Sequence, residues 1–212
     1  IYAYTINEAE FLHELKGRTA KIIAAASLYH WNSSAVSETA ALYPEMTVRE
    51  IPIELSGREV NAMLEHSYEK CLGQAEHIRN IKDIQKKEAF EVLIHGRIPV
   101  MQSTQCLKKT TGHCNKTSEE IWLEDKKGRK LPVTTHCREC YNLIWQDKPY
   151  NLIGEDLTGS IPYVTRHRFD LFHMSEKEIK EMKDRYLIWQ ENHFMCDLQK
   201  DDTEHHWNYG IE

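Results

Sequence analysis

The period of the apolar positions changes along the chain. Lys21-Ile-Ile-Ala-Ala-Ala-Ser-Leu-Tyr29 is a continuous apolar run of the kind shown by buried parallel strands. From about Ser33 to Leu42 the spacing becomes helical. Val48-Arg-Glu-Ile-Pro-Ile-Glu-Leu55 predicts a second strand, kept short or irregular by Pro52, which has no amide proton for a ladder. Ser56-Gly-Arg-Glu59 has the form of a capping box, in which the serine oxygen and the glutamate carboxylate satisfy free amides at a helix start; helical spacing follows over 57–70. Ala89-Phe-Glu-Val-Leu-Ile-His95 predicts a third strand, closed by Gly96. Alternation of this kind argues for an α/β fold with a parallel sheet. There is also a weak echo: Tyr4-Thr-Ile-Asn7 and Tyr29-His-Trp-Asn32 each place a tyrosine three residues before an asparagine, a pattern that chance or successive strand ends of a β/α barrel would give.

After Gly96 the pattern changes. Trp122-Leu-Glu-Asp125 and Lys130-Leu-Pro-Val-Thr134 predict the arms of a hairpin turning at Lys126-Lys-Gly-Arg129. Residues 151–174 read as loop and short strand. Ser175-Glu-Lys-Glu178 is a second capping box, opening a helix to about Trp189. The organisation is thus 1–96 of strand–helix units, 97–150 of cysteine-rich hairpin, and 151–212 of loop, helix and polar tail.

Composition adds limits. Of 212 residues, 41% are hydrophobic and 28% charged, ordinary for a globular protein. A net charge of −6 gives no general attraction to nucleic acid. No apolar run reaches the ~18–20 residues of a membrane span, and no secretory signal is visible ahead of a chain that begins at Ile1. Six cysteines are too sparse for a disulfide scaffold, so a reduced, cytoplasmic chain is expected.

The cysteines carry the sharpest chemistry. Cys106, Cys114, Cys137 and Cys140 crowd into one segment, and Cys137-Arg-Glu-Cys140 lets two thiolates point at one ion from a tight turn. Four thiolates suit tetrahedral zinc or an iron–sulfur cluster, and a hairpin between two cysteine pairs leans towards zinc. His113 and His136, each beside a cysteine, are secondary candidates; Cys71 and Cys196 are isolated and read as packing residues. His95, at the predicted end of the third strand, and Glu54, at the end of the second, stand where α/β sheets collect ligands and could form a proton-transfer pair. Lys108-Lys109, Lys126-Lys127 and Arg129-Lys130, interleaved with Trp122, Tyr141 and Trp145, could contact phosphates and unpaired bases, although a solvated charged hairpin is the simpler reading. His205-His206 is a weak metal candidate in a polar tail.

Glu91-Val-Leu-Ile-His95-Gly96-Arg-Ile-Pro-Val-Met-Gln-Ser-Thr-Gln-Cys106 resembles the signature of the collagenase-like peptidases, peptidase family U thirty-two. Leu28-Tyr-His-Trp-Asn32 is similar to that family's Leu-Tyr-x-x-Asn strand end, Pro52-Ile-Glu-Leu55 to its Pro-x-Glu-Leu strand, and His206-Trp-Asn-Tyr-Gly-Ile-Glu212 to its Gly-His-Phe-x-Arg-Gly-Val-Glu ending; Asn142 follows Cys-x-x-Cys-Tyr as in one subgroup. The chain departs where many members have cysteine (Pro99 here) and at the arginine of the last motif (Tyr209 here).

The resemblance implies a partial, TIM-like β/α barrel with a cysteine-rich appendage. It also implies a further N-terminal barrel half, on the same or a partner chain. It implies catalytic roles for His95 and Glu54 and substrate binding by Asn32, Arg97 and His206. A 4Fe-4S cluster on Cys106, Cys114, Cys137 and Cys140 is implied in place of zinc. The expected activity is oxygen-independent hydroxylation of tRNA or rRNA bases or of a small aromatic precursor, with prephenate as donor. The alternatives are a protease with structural zinc and a non-catalytic, zinc-stapled RNA-binding module.

Overall fold

The computed structural model describes residues 3–17, 21–74, 89–155, 157, 164–192 and 207–208. They divide into two compact units, one of residues up to 94 with 155–169 and Trp207, the other of 95–154 and 170–192.

The first unit is α/β. Strands β1 (Ala3–Ile6), β2 (Lys21–Ala24), β3 (Met46–Glu50) and β4 (Ala89–Gly96) lie in that order and run parallel, with β10 (Val164–Phe169) beside β4. Helices α1 (Ala9–Leu15), α2 (Ser33–Leu42) and α3 (Gly57–Gln74) connect them. Ile6, Leu12, Ile22, Ala24 and Met46 form one buried cluster. Val48, Val60, Leu64, Phe90 and Ile94 are buried in the same unit. Among the described residues the strand order runs from β1 at one end to β10 at the other.

Local signals explain the boundaries. The run from Lys21 is strand only to Ala24; Ala26–Leu28 form a 3-10 turn and Tyr29 takes a left-handed φ of 50°, so the apolar run changes direction at the carboxyl end of β2. β3 likewise stops at Glu50, because Pro52 cannot extend the ladder and Ile53–Leu55 turn instead. Asn32 caps α2, its Oδ1 accepting from Ala35 N at 2.9 Å. The capping box at α3 forms in full: Glu59 Oε2 accepts from Ser56 N (2.8 Å) and Ser56 Oγ (2.7 Å), and Glu59 N donates to Ser56 Oγ (3.3 Å). Beside it, Gly57 N donates to Trp207 O at 2.8 Å, and a Cβ on Gly57 would meet the Trp207 ring at 3.1 Å, so the aromatic of the polar tail is anchored.

The second unit is built on an antiparallel sheet of order β5-β8-β7-β6, from β5 (Pro99–Ser103), β6 (Glu120–Glu124), β7 (Lys130–His136) and β8 (Tyr141–Trp145). β9 (Tyr150–Asn151) pairs antiparallel with the last residues of β4, His95 and Gly96. The short helix α4 (Leu107–Thr110) follows β5, and α5 (Glu176–Asn192) opens on the Ser175–Glu178 capping box, Ser175 Oγ donating to Glu178 Oε2 at 2.6 Å. Val133, Ile144, Trp145, Tyr150, Met182 and Trp189 are buried. Among the described residues no helix is long and apolar enough to cross a membrane.

Candidate functional site

Sheet register brings the cysteines together. β5 pairs with β8 so that Ser103 faces Asn142, and β7 pairs with β8 so that His136 faces Tyr141. The β7–β8 turn is therefore Cys137-Arg-Glu-Cys140, and Cys106, three residues beyond Ser103, arrives at the same end of the sheet. Cys140 turns back with a left-handed φ of 57°. Buried Asn142 fastens the approach to Cys106, its Nδ2 donating to Gln105 O (2.8 Å) and Ser103 O (3.3 Å). Cys106 begins α4, its Sγ accepting from Lys109 N at 3.4 Å. Cys114 lies in the loop that follows.

That loop is laced to β7. Thr135 Oγ1 donates to Glu119 O and accepts from Glu119 N, both at 2.9 Å. Cys137 N donates to Ser118 Oγ at 3.0 Å, and Cys137 Sγ donates to Thr117 O at 3.1 Å. The His136 and Tyr141 rings stack across the turn with centroids 4.3 Å apart.

All four cysteines are free thiols, Cys106 and Cys137 half-buried, Cys114 and Cys140 exposed. All four line one cavity of about 450 Å³, together with Lys109, Lys116, His136 and Arg138. Unlike buried structural thiols, they face an open space with soft donor atoms, and cationic side chains share its wall. This donor set fits a thiophilic metal or an iron–sulfur cluster. Among the described residues no three His, Cys, Asp or Glu side chains are drawn to the spacing of a single ion. Behind the cavity Lys108 is buried, and its ammonium is held above the usual lysine range by its bond to Glu119, with Cys137 and Cys114 adding attraction.

A second cavity of the same unit, about 540 Å³, is lined by His95, Arg97, Trp122, His173 and Glu178 among others. His95 is buried at the end of β4, its carbonyl accepting from Asp170 N at 2.8 Å. Gly96 has φ 154°, and a Cβ there would lie 2.5 Å from Asp170 Cβ, so the residue after His95 has to be glycine. Arg97 Nη1 donates to Gln146 O (2.9 Å) and to Asp147 O. Burial lowers the Arg97 pKa, opposed by Glu178 and Asp147. Glu178 is held below the usual carboxylate range by its Ser175 hydrogen bonds, with help from Arg97 and His95.

Sequence reasoning missed a polar chain at this cavity. Glu120 Oε1 lies 3.1 Å from His173 Nδ1, and His173 Nε2 lies 3.1 Å from Thr134 Oγ1. Carboxylate, imidazole and hydroxyl in that order have the form of a nucleophilic triad. Here the Thr134 oxygen also accepts from Trp145 Nε1 at 3.0 Å, and the His173 ring packs edge-on against Phe172 and Trp145. The chain is a strut that pins the turn before α5 to β7.

In the first unit the carboxylate at the end of β3 is Glu50, while Glu54 lies in the turn after Pro52. Glu50 is buried, with Oε2 accepting from Ala26 N at 2.8 Å and Oε1 lying 2.5 Å from Arg168 Nη2. Burial raises its pKa, opposed by Arg168. Arg49 is fully buried. Buried His30 has Nε2 3.1 Å from Thr39 Oγ1 and a pKa lowered to about 4, by desolvation and then by Arg49. The available signal was a charged Arg49-Glu50 pair inside a strand otherwise fit for burial. Asn32 serves as the cap of α2. His206, His205 and Cys196, and the side chain of Cys71, lie outside the described residues.

No protein-family model matches this chain, and no curated protein and no solved structure matches it significantly.

Proposed function

We propose that the chain is a cysteine-ligated iron–sulfur enzyme of the collagenase-like peptidase type, acting in the cytoplasm, its strand–helix unit part of a β/α barrel. The observation that carries the reading is the cavity lined by Cys106, Cys114, Cys137 and Cys140, all free thiols. A 4Fe-4S cluster bound there would supply one-electron transfer. The reaction is oxygen-independent hydroxylation of an RNA base or a small aromatic precursor. A substrate C–H becomes C–OH while an organic hydroxyl donor, prephenate by the resemblance, has its C–OH replaced by C–H, so atoms and electrons balance. In the second cavity Arg97, steadied by two backbone carbonyls, offers its charge to an anionic substrate group, and His95 moves a proton at the reacting centre.

The test is anaerobic purification followed by iron, sulfide and zinc analysis with a visible spectrum, beside a Cys137→Ala control. Iron and sulfide near four of each per chain, with colour lost in the control, is the expected result. Stoichiometric zinc without colour would overturn the redox reading and leave the cysteine turn a staple.

A further inference from the structure

We propose that Lys108 is the positioning residue of the cysteine centre, a buried cation that ties three of its four ligand segments together and stands behind their thiolates. The inference rests on the reading of the four cysteines as ligands. Lysine is seldom buried, yet Lys108 is 4% exposed. Its ammonium has three protons, and three partners take them: Asn115 Oδ1, Thr117 O at 2.7 Å and Glu119 Oε1 at 2.5 Å. Each partner belongs to the loop between α4 and β6.

The connections run to the cysteines. Lys108 lies on α4, two residues after Cys106. Asn115 is the neighbour of Cys114. Thr117 O, which accepts from the ammonium, also accepts from Cys137 Sγ at 3.1 Å, so nitrogen and sulfur lie within the sum of two hydrogen bonds. One side chain thus fixes the segments of Cys106, Cys114 and Cys137 against one another.

A neutral amide would cost less to desolvate but has two donors for these three acceptors. A lysine is favoured where negative charge gathers beside it, and thiolate ligands gather it. Glu119, 44% exposed, is the nearest counter-charge at 2.5 Å, and Cys137 and Cys114 add attraction to the same ammonium. Lys109, Lys116 and Arg138 line the cavity itself. Groups that support metal ligands in this way typically change affinity about 10–100-fold when removed.

The test is zinc affinity of the full chain, measured by competition with a chelator at fixed pH. Lys108→Met is expected to weaken zinc about 10–100-fold, and Lys108→Arg, which keeps the charge, to recover most of the loss. Glu119→Gln keeps an acceptor for the ammonium but removes the competing charge, so affinity should hold or tighten. A purely structural lysine makes the opposite pattern: Glu119→Gln weakens binding along with Lys108→Met, and arginine does not rescue. That pattern overturns the inference, as does unchanged affinity in Lys108→Met. Should Lys108→Met fail to fold, the sign of the Glu119→Gln effect decides. A wild-type chain that takes up neither zinc nor iron disproves the ligand reading itself, before any variant is made.

Discussion

The two units handle reactive side chains at strand ends in opposite ways. At the end of β3, Arg49, Glu50 and His30 are buried, and the groups around them are consumed by one another: Glu50 by Ala26 and Arg168, His30 by Thr39. At the β7–β8 turn the thiols remain half-buried or exposed around a shared space, and it is the backbone and the neighbouring side chains that are tied down. A buried ionic group of the first kind holds a fold in one arrangement. A fastened frame with accessible donors, of the second kind, is what a guest requires, since much of the entropy of ordering the ligands has already been lost.

Acid should break this contrast most strongly on the side of the first unit. The His30 pKa is lowered from 6.5 to about 4. The unfolded chain therefore binds the proton first, and this contribution is full above pH 6.5 and lost as pH falls through 4. By pH 4 the loss amounts to about 3 kcal/mol. Glu50, with its raised pKa, works in the other direction: its contribution is present at low pH and lost as pH rises through its folded value. The difference between wild-type and His30→Gln unfolding curves isolates the histidine. A His30→Gln protein with the same pH slope as wild type would refute its burial as the neutral form.

Next in size is the pair at β3. Removing one partner of a buried ion pair costs about 3–5 kcal/mol. Arg168 is 36% exposed, which brings Arg168→Met down to roughly 2–3 kcal/mol. Adding Glu50→Gln should return most of it, as read by denaturant midpoints. No recovery in the double variant would mean that Arg168 acts through packing.

The smallest effect belongs to the thiols. In the metal-free protein Cys137→Ser with Cys140→Ser should change stability by no more than about 0.5 kcal/mol, because these side chains face open space and serine can still donate to Thr117 O. The same variant should abolish metal or cluster loading. A large loss of metal-free stability would instead make the cysteines part of the packing and erase the contrast between the units.

Much of the local structure was legible in the chain. Both capping boxes form, α2 spans the segment read as helical, β4 runs into Gly96, and the hairpin turns where Lys126-Lys-Gly-Arg129 predicted it. These are contacts between residues a few positions apart, and their chemistry is written in the neighbouring letters. The overlong strands from Lys21 and Val48 failed for a complementary reason. Apolar runs report burial, not direction, and the chain turns while remaining buried.

What the sequence determined by itself was the pool of donors and the pattern of elements: a Cys-x-x-Cys turn, a His-Gly strand end, strand–helix units and then a hairpin. Tertiary structure alone decided which of them meet. Register between β5, β7 and β8 delivers Cys106 beside a turn some thirty residues away, and a shared carbonyl links Lys108 to Cys137. The end of β3 likewise passes from Glu54 to Glu50 because a proline stops the ladder. Such meetings depend on hydrogen bonds between distant segments, which no local spacing encodes, and the free energy that selects one register is the burial of a whole sheet face rather than any single residue.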